Sequence, residues 1–362
     1  MAEAIDRATA DATRPLEIRR AASRVLAEAQ ETGRQAIEAA FATAPRAARR
    51  VTRAYAYLTD GIVRTAFTVA RARLHPNPTP TDAEHIALMA VGGYGRGEMA
   101  PHSDVDLLFV TPWKRAGWVE SVIESTLYIL WDLHLKVGHA SRSVRDCLAL
   151  GREDMTIRTT FLEMRHLDGA TDVSSALQAD LRTRLFQGTA PDFIEAKLAE
   201  RDERHRKQGG QRYMVEPNIK EGKGGLRDLQ TLYWIAKYLH GVDDTAELVR
   251  LGLFRPEEFA AFDAAERFLW SVRCHLHLAS GRAVEQLTFD TQVEVARRMG
   301  YETGAGRRAV EHFMQECFRH ATQVGDLTRI FLTALEASHV KREPGLLGRL
   351  RGGSKPRRKP VR

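Results

Sequence analysis

The sequence predicts a mixed α+β or α/β chain: a sheet-bearing domain at about residues 77–175, preceded by a helical segment (1–76) and followed by an all-helical region (176–340). Three observations predict it. Short apolar runs ending in glycine or Thr-Pro appear only between residues 86 and about 167. Amphipathic helical stretches alternate with them. From Ala176 onward the apolar spacing is helical almost throughout.

The elements follow in order. Leu16, Ile18, Ala21, Ala22, Val25 and Leu26 form one helical stripe. Ala54, Tyr57, Leu58, Ile62, Ala66 and Val69 form another, which reads as a core face. His75 to Pro80 holds three prolines and breaks the helix. Ile86–Val91 and Val105–Val110 read as buried strands, and Trp118–Leu133 as an amphipathic helix between them and a third strand near Leu135–Ala140. A helix around Arg145–Leu150 precedes a further strand near Leu162–Leu167, with Asp168-Gly169 as its stop. In the second half, Leu229–Leu239, Pro256–Ala279 and Ala309–Leu335 have helical length and period, and the glycine-rich stretch 209–225 is a loop.

Composition excludes several classes. The chain has 362 residues and net charge +7, but the segment 341–362 carries nine Lys/Arg against one acid. That leaves 45 basic and 46 acidic residues elsewhere, so the body has no general excess of positive charge for a nucleic-acid backbone. The basic stretch reads as a disordered tail or linker. No apolar run is long enough to span a bilayer, and the acidic start lacks a signal core, so a cytoplasmic protein is expected. Cys147, Cys274 and Cys317 are scattered without a CxxC pair, which favours reduced, partly buried thiols over disulfides or zinc.

The chemistry concentrates in Gly92-Gly93-Tyr94-Gly95-Arg96-Gly97-Glu98 and Ser103-Asp104-Val105-Asp106. Glycines after a strand let the backbone approach a phosphate, because no Cβ intervenes. Asp104 and Asp106 are two apart in a strand context, so their side chains share a face. Hard divalent cations such as Mg²⁺ take carboxylate and phosphate oxygens together. Such ions, about 3.5–4 Å apart, suit attack on an α-phosphate with pyrophosphate leaving. Ser103 is a hydrogen-bond partner just before the metal ligands. Arg96 is a triphosphate contact, with Glu98 orienting it or capping the turn.

The glycine loop with Asp104 and Asp106 resembles the polymerase-β-type nucleotidyltransferase superfamily. Within it the chain resembles the PII uridylyltransferase/uridylyl-removing enzyme family over about residues 20–335. Val137-Gly138-His139-Ala140-Ser141-Arg142, the stretch Asn218 to Leu229, and Phe289-Asp290-Thr291-Gln292 with Gly300-Tyr301 carry the likeness further. The resemblance implies a small mixed sheet and a third carboxylate on a strand. Glu163, in Leu162-Glu163-Met164-Arg165, is the choice for that role, as base or metal ligand, ahead of Asp132 and Asp168. It also places Asn218, Lys220, Lys223 and Arg227 in a phosphate-clamping loop, with Asn218 reading base or ribose and Asp228 capping or pairing with Arg227.

The implied reaction is Mg²⁺-dependent transfer of UMP from UTP to a tyrosine of the PII nitrogen-regulatory protein. Full-length family members also carry an HD phosphohydrolase domain and glutamine-sensing domains. None of the 13 histidines here is followed by Asp, so only the transferase part is expected, and the basic segment would be a linker. His275 and His277, set among leucines, read as structural. Adenylyl transfer, a non-catalytic PII-binding role and RNA tailing remain open alternatives, the last disfavoured by the near-neutral body.

Overall fold

A computed structural model of the chain describes residues 1–79, 81–113, 117–210, 213–242 and 244–340. The expected basic tail, 341–362, lies outside the described residues. By its contacts the chain divides into two compact units: Met1–Gln187 with Trp270–Phe313, and Gly188–Leu269 with the segment from Met314 onward. The helical segment before residue 77 therefore groups with the sheet.

The first unit opens with α1 (Ala2–Ala8), α2 (Pro15–Thr43) and α3 (Ala48–Val69). Pro15 starts α2 at the position where a missing N–H costs nothing. The last turn of α3 widens into a π turn over Ala70–Leu74 before the His75 break. α3 buries Val51, Tyr55, Ile62, Val63, Ala66 and Phe67. Tyr57, expected in that core face, is instead 82% exposed. It stands about 140° round the helix from Ile62, outside the buried stripe. Leu16 is also exposed, at the first turn of α2.

The sheet follows: β1 (Ala87–Ala90), the short α4 (Gly92–Gly95), β2 (Val105–Thr111), α5 (Gly117–Asp132), β3 (Val137–Ser143), α6 (Val144–Glu153), α7 (Met155–Leu162), β4 (Arg165–Gly169) and α8 (Thr171–Leu181). Its order is β3-β2-β1-β4, with β2 and β3 parallel and the other pairs antiparallel. This is the small mixed sheet expected.

Period two divides its residues between two faces. Ala87 and Met89 of β1, and Val91 just after it, join Leu108 and Val110 of β2 in a core with Cys147, Leu148, Phe161, Val173 and Leu177 from α6, α7 and α8. On the opposite face Phe109 meets Phe67 of α3, ring centroids 6.4 Å apart. Each large side chain so enclosed contributes about 1.5–3 kcal/mol.

Residues near the fourth strand depart from expectation. The stretch read as strand at 162–167 is helix up to Leu162, and β4 begins only at Arg165. Asp154 explains the shift. Its carboxylate accepts from the Thr156 and Ile157 amides (2.6 and 3.0 Å), an N-cap that starts α7. Asp168, read as a stop, lies within β4 opposite Leu88, with Arg71 at 4.0 Å, so it shares the face of α3.

The second unit contains α9 (Ala190–Lys207), α10 (Leu226–His240), the short α11 (Glu247–Arg250) and the first part of α12 (Pro256–Ser280). α13 (Phe289–Arg298) belongs to the first unit, and α14 (Ala309–Val340) lies mostly in the second. Gly241, left-handed at φ 66°, ends α10. Phe193 of α9 stacks on Tyr238 of α10 at 4.0 Å, and Phe254, Phe262 and Phe331 pack together. The three cysteines are buried free thiols. Among the described residues no helix is long and apolar enough to cross a membrane.

Candidate active site

Asp106 sits on β2 in the parity of Leu108 and Val110, at the end of the sheet where the glycine loop begins. Its carbonyl accepts from the Val91 amide (3.1 Å), which ties the strand to the start of that loop. Asp104 precedes β2 and is exposed. Gly92 adopts φ +59°, a left-handed conformation that a side chain would strain. A Cβ there would stand 3.3 Å from Asp106 Oδ2. On the neighbouring strand a Cβ on Gly138, the register partner of Asp106, would stand 2.5 Å from Oδ1. The carboxylate is thus held between two positions that need glycine.

The loop is pinned from beneath. At Gly95 a Cβ would fall 1.9 Å from the Glu163 carbonyl, so the loop packs against the α7–β4 junction. Arg165 at the start of β4 donates to the Gly95 and Tyr94 carbonyls (3.3 and 3.2 Å) and pairs with both oxygens of Asp60 on α3 (2.7 and 3.0 Å). Ser103 accepts from the Ala100 amide through its hydroxyl oxygen (2.9 Å), closing the turn before Asp104.

Arg96 is held by two acids. Its Nε donates to Glu98 (2.9 Å) and its Nη1 to the buried Glu163. Its Nη2 lies 3.5 Å from where a Cβ of Gly93 would be, so the guanidinium edge borders the glycine loop. Glu98 does orient Arg96. Glu163 occupies neither the strand nor the setting expected of it: it ends α7 as a buried partner of Arg96. Among the described residues no group of three His, Cys, Asp or Glu side chains is placed to hold a metal ion. Asp104 lies just before β2 and Asp106 on it, with the Asp106 carboxylate beside Gly92. Two exposed or half-exposed carboxylates beside a glycine cradle fit a hard divalent cation that takes its remaining ligands from phosphate and water.

The loop from Asn218 to Asp228, in the second unit, is a tightly closed backbone structure. Asn218 Oδ1 accepts from the Lys220 and Glu221 amides (3.1 and 2.7 Å). This local turn uses the group expected to read a base. Cβ atoms on Gly222, Gly224 and Gly225 would meet backbone oxygens at 2.4–2.6 Å, so these glycines permit close packing. Arg227 pairs with Glu221 (3.0 Å) and donates to Gln230 (2.8 Å). Of the two roles expected of Asp228, capping and pairing with Arg227, the pairing is not seen. Its buried carboxylate accepts from Arg204 (2.5 Å), His205 (2.9 Å) and the Gly224 amide (2.8 Å). Burial would raise its pKa, but these donors, His205 foremost, hold it below the usual carboxylate value. Lys220 is half-buried and Lys223 exposed.

Residues 192–332 match the GlnD PII-uridylyltransferase family, and residues 30–130 match the DUF294 nucleotidyltransferase family. The chain is 63% identical over 340 residues to a bifunctional uridylyltransferase/uridylyl-removing enzyme of Ruegeria pomeroyi, covering 94% of this chain and 37% of the relative. A relative of the same description from Cereibacter sphaeroides is 60% identical over 356 residues, 97% of this chain and 38% of that protein. Over nearly all of its length the chain is thus similar to part of the uridylyltransferase/uridylyl-removing enzymes. It spans less than two-fifths of the length of these curated relatives.

Two positions matter to the site that sequence reasoning did not assign. Gly138 lies in the quoted Val137–Arg142 stretch, yet only the β2–β3 register shows that it faces Asp106. Arg165 follows Glu163 by two residues, but its partner Asp60 is 105 residues away. A glycine amid strand-forming residues was the one local signal for the first. The second had none.

Proposed function

We propose that this chain catalyses transfer of UMP from UTP to a tyrosine hydroxyl of the PII nitrogen-regulatory protein, with release of pyrophosphate. The observation that carries this reading is the Asp106 carboxylate lodged between Gly92 and Gly138, beside Asp104 and the glycine loop. The likeness to the uridylyltransferase/uridylyl-removing enzymes suggests the nucleotide and the acceptor.

Asp104 and Asp106 would hold Mg²⁺, which supplies Lewis-acid stabilisation of charge on the phosphate oxygens. Gly92 and Gly93 leave room for those oxygens against the backbone, and Arg96, held by Glu98 and Glu163, offers a guanidinium edge to the triphosphate. Glu163 thus acts as a positioning residue for Arg96. In the reaction the tyrosine oxygen bonds to the α-phosphorus, the bond to the β-phosphate bridging oxygen breaks, and the phenolic proton leaves to solvent.

The test is incubation of the folded chain with PII, Mg²⁺ and α-labelled UTP, with α-labelled ATP in parallel. Label on PII from UTP alone is expected, and Asp104→Asn/Asp106→Asn should abolish it while leaving thermal unfolding unchanged. Label from ATP alone would replace uridylyl by adenylyl transfer. No label from either would overturn the reading.

A further inference from the structure

On the sheet face opposite the carboxylates, the first unit contains a cavity of about 200 Å³ that the transfer reaction does not use. Its wall carries Arg34, His102, His134, Lys136 and Arg282, and no Asp or Glu lines it. Concave, like-charged walls concentrate an attractive potential for anions. Tyr55, Leu58, Ile62 and Met99 supply an apolar floor.

Two further features set this cavity apart from a chance gathering of surface cations. His134 holds φ +57° at the turn between α5 and β3, where its amide donates to the Trp131 carbonyl and that of Leu135 to the Leu130 carbonyl. Glycine ordinarily fills such a helix-ending position, and a histidine there carries a conformational cost of about 1 kcal/mol. His102 stands in the link between the glycine loop and Asp104, its ring 6.2 Å from that of His277.

We propose that this cavity binds a small oxyanion-bearing metabolite, a polycarboxylate or a phosphate ester, gripped by Lys136, Arg282 and Arg34 with His102 and His134 donating hydrogen bonds. Ser103 and Val105 line it as well, and they flank Asp104 in sequence. Occupancy therefore bears on the segment that carries the two carboxylates, from the face opposite to theirs. The site would make the transfer reaction responsive to an anionic metabolite without any residue of the metal-holding pair touching that ligand. Binding itself does not depend on the uridylyl-transfer reading.

The test is calorimetric titration of the chain with citrate and, separately, with inorganic phosphate, repeated in saturating Mg²⁺-UTP. Lys136→Ala/Arg282→Ala removes two exposed side chains, and Lys136→Glu/Arg282→Glu reverses them; thermal unfolding checks that both variants fold. We expect one anion to bind the wild type with or without UTP, about tenfold or more weaker binding to the alanine pair, and none to the glutamate pair. Asp104→Asn/Asp106→Asn should bind as the wild type does. Which arm responds distinguishes carboxylate from phosphate ligands. No binding of either anion, binding indifferent to both double variants, or binding displaced by UTP would overturn the proposal.

Discussion

Gly138 on β3 faces the carboxylate of Asp106 on β2 so closely that a single added methyl carbon would stand 2.5 Å from Oδ1. The two are register partners in the parallel pair, on the sheet face that also carries Leu108. Contact at that distance forces either the strand or the carboxylate to move. Gly138→Ala should therefore displace Asp106 without emptying any core, because Gly138 is exposed. The expected result is a fall in kcat of about 10²-fold with little change in Tm, read by labelling kinetics and thermal unfolding. An unchanged kcat would show that Asp106 tolerates the shift.

Glu163 separates two roles by its kinetics. As a holder of Arg96, Glu163→Gln should raise KM for UTP about tenfold and lower stability by about 2 kcal/mol, because a buried guanidinium loses one of its two carboxylates. A loss confined to kcat, of about 10³-fold or more, would instead return Glu163 to the reacting atoms.

Arg165 joins α3, β4 and the glycine loop through one guanidinium. Arg165→Ala should cost about 2–3 kcal/mol in denaturant unfolding, since it leaves the partly buried Asp60 unpaired. A double-mutant cycle with Asp60→Ala should return a coupling energy of about 1–2 kcal/mol. Additive effects would remove the ion pair from the account of the loop.

Glu285 gives a pH test in the same unit. Burial would raise its pKa, but hydrogen bonds from His277 and Arg273, with their charges, bring it down to about 2. A carboxylate depressed on folding stabilises above its unfolded pKa and loses that contribution as pH falls through the folded value. Between about pH 4.5 and pH 2 the wild type should lose about 3 kcal/mol that Glu285→Gln lacks. Parallel stability-pH curves for the two proteins would contradict it.

The sequence by itself determined β1 and β2, the glycine loop between them, and the two-residue spacing of Asp104 and Asp106. Those features are written in local period, turn residues and adjacency, which act over a few residues. The same local rules, followed further, would have found α7, whose start Asp154 caps. Tertiary structure alone decided which surfaces are buried and which charges meet. It turned Tyr57 outward, gave Glu163 to Arg96, directed Asp228 to Arg204 and His205, and set Gly138 against Asp106. Those outcomes depend on partners dozens of residues away or on the opposite strand, and desolvation and ion pairing respond to where atoms lie in space, not to their order along the chain.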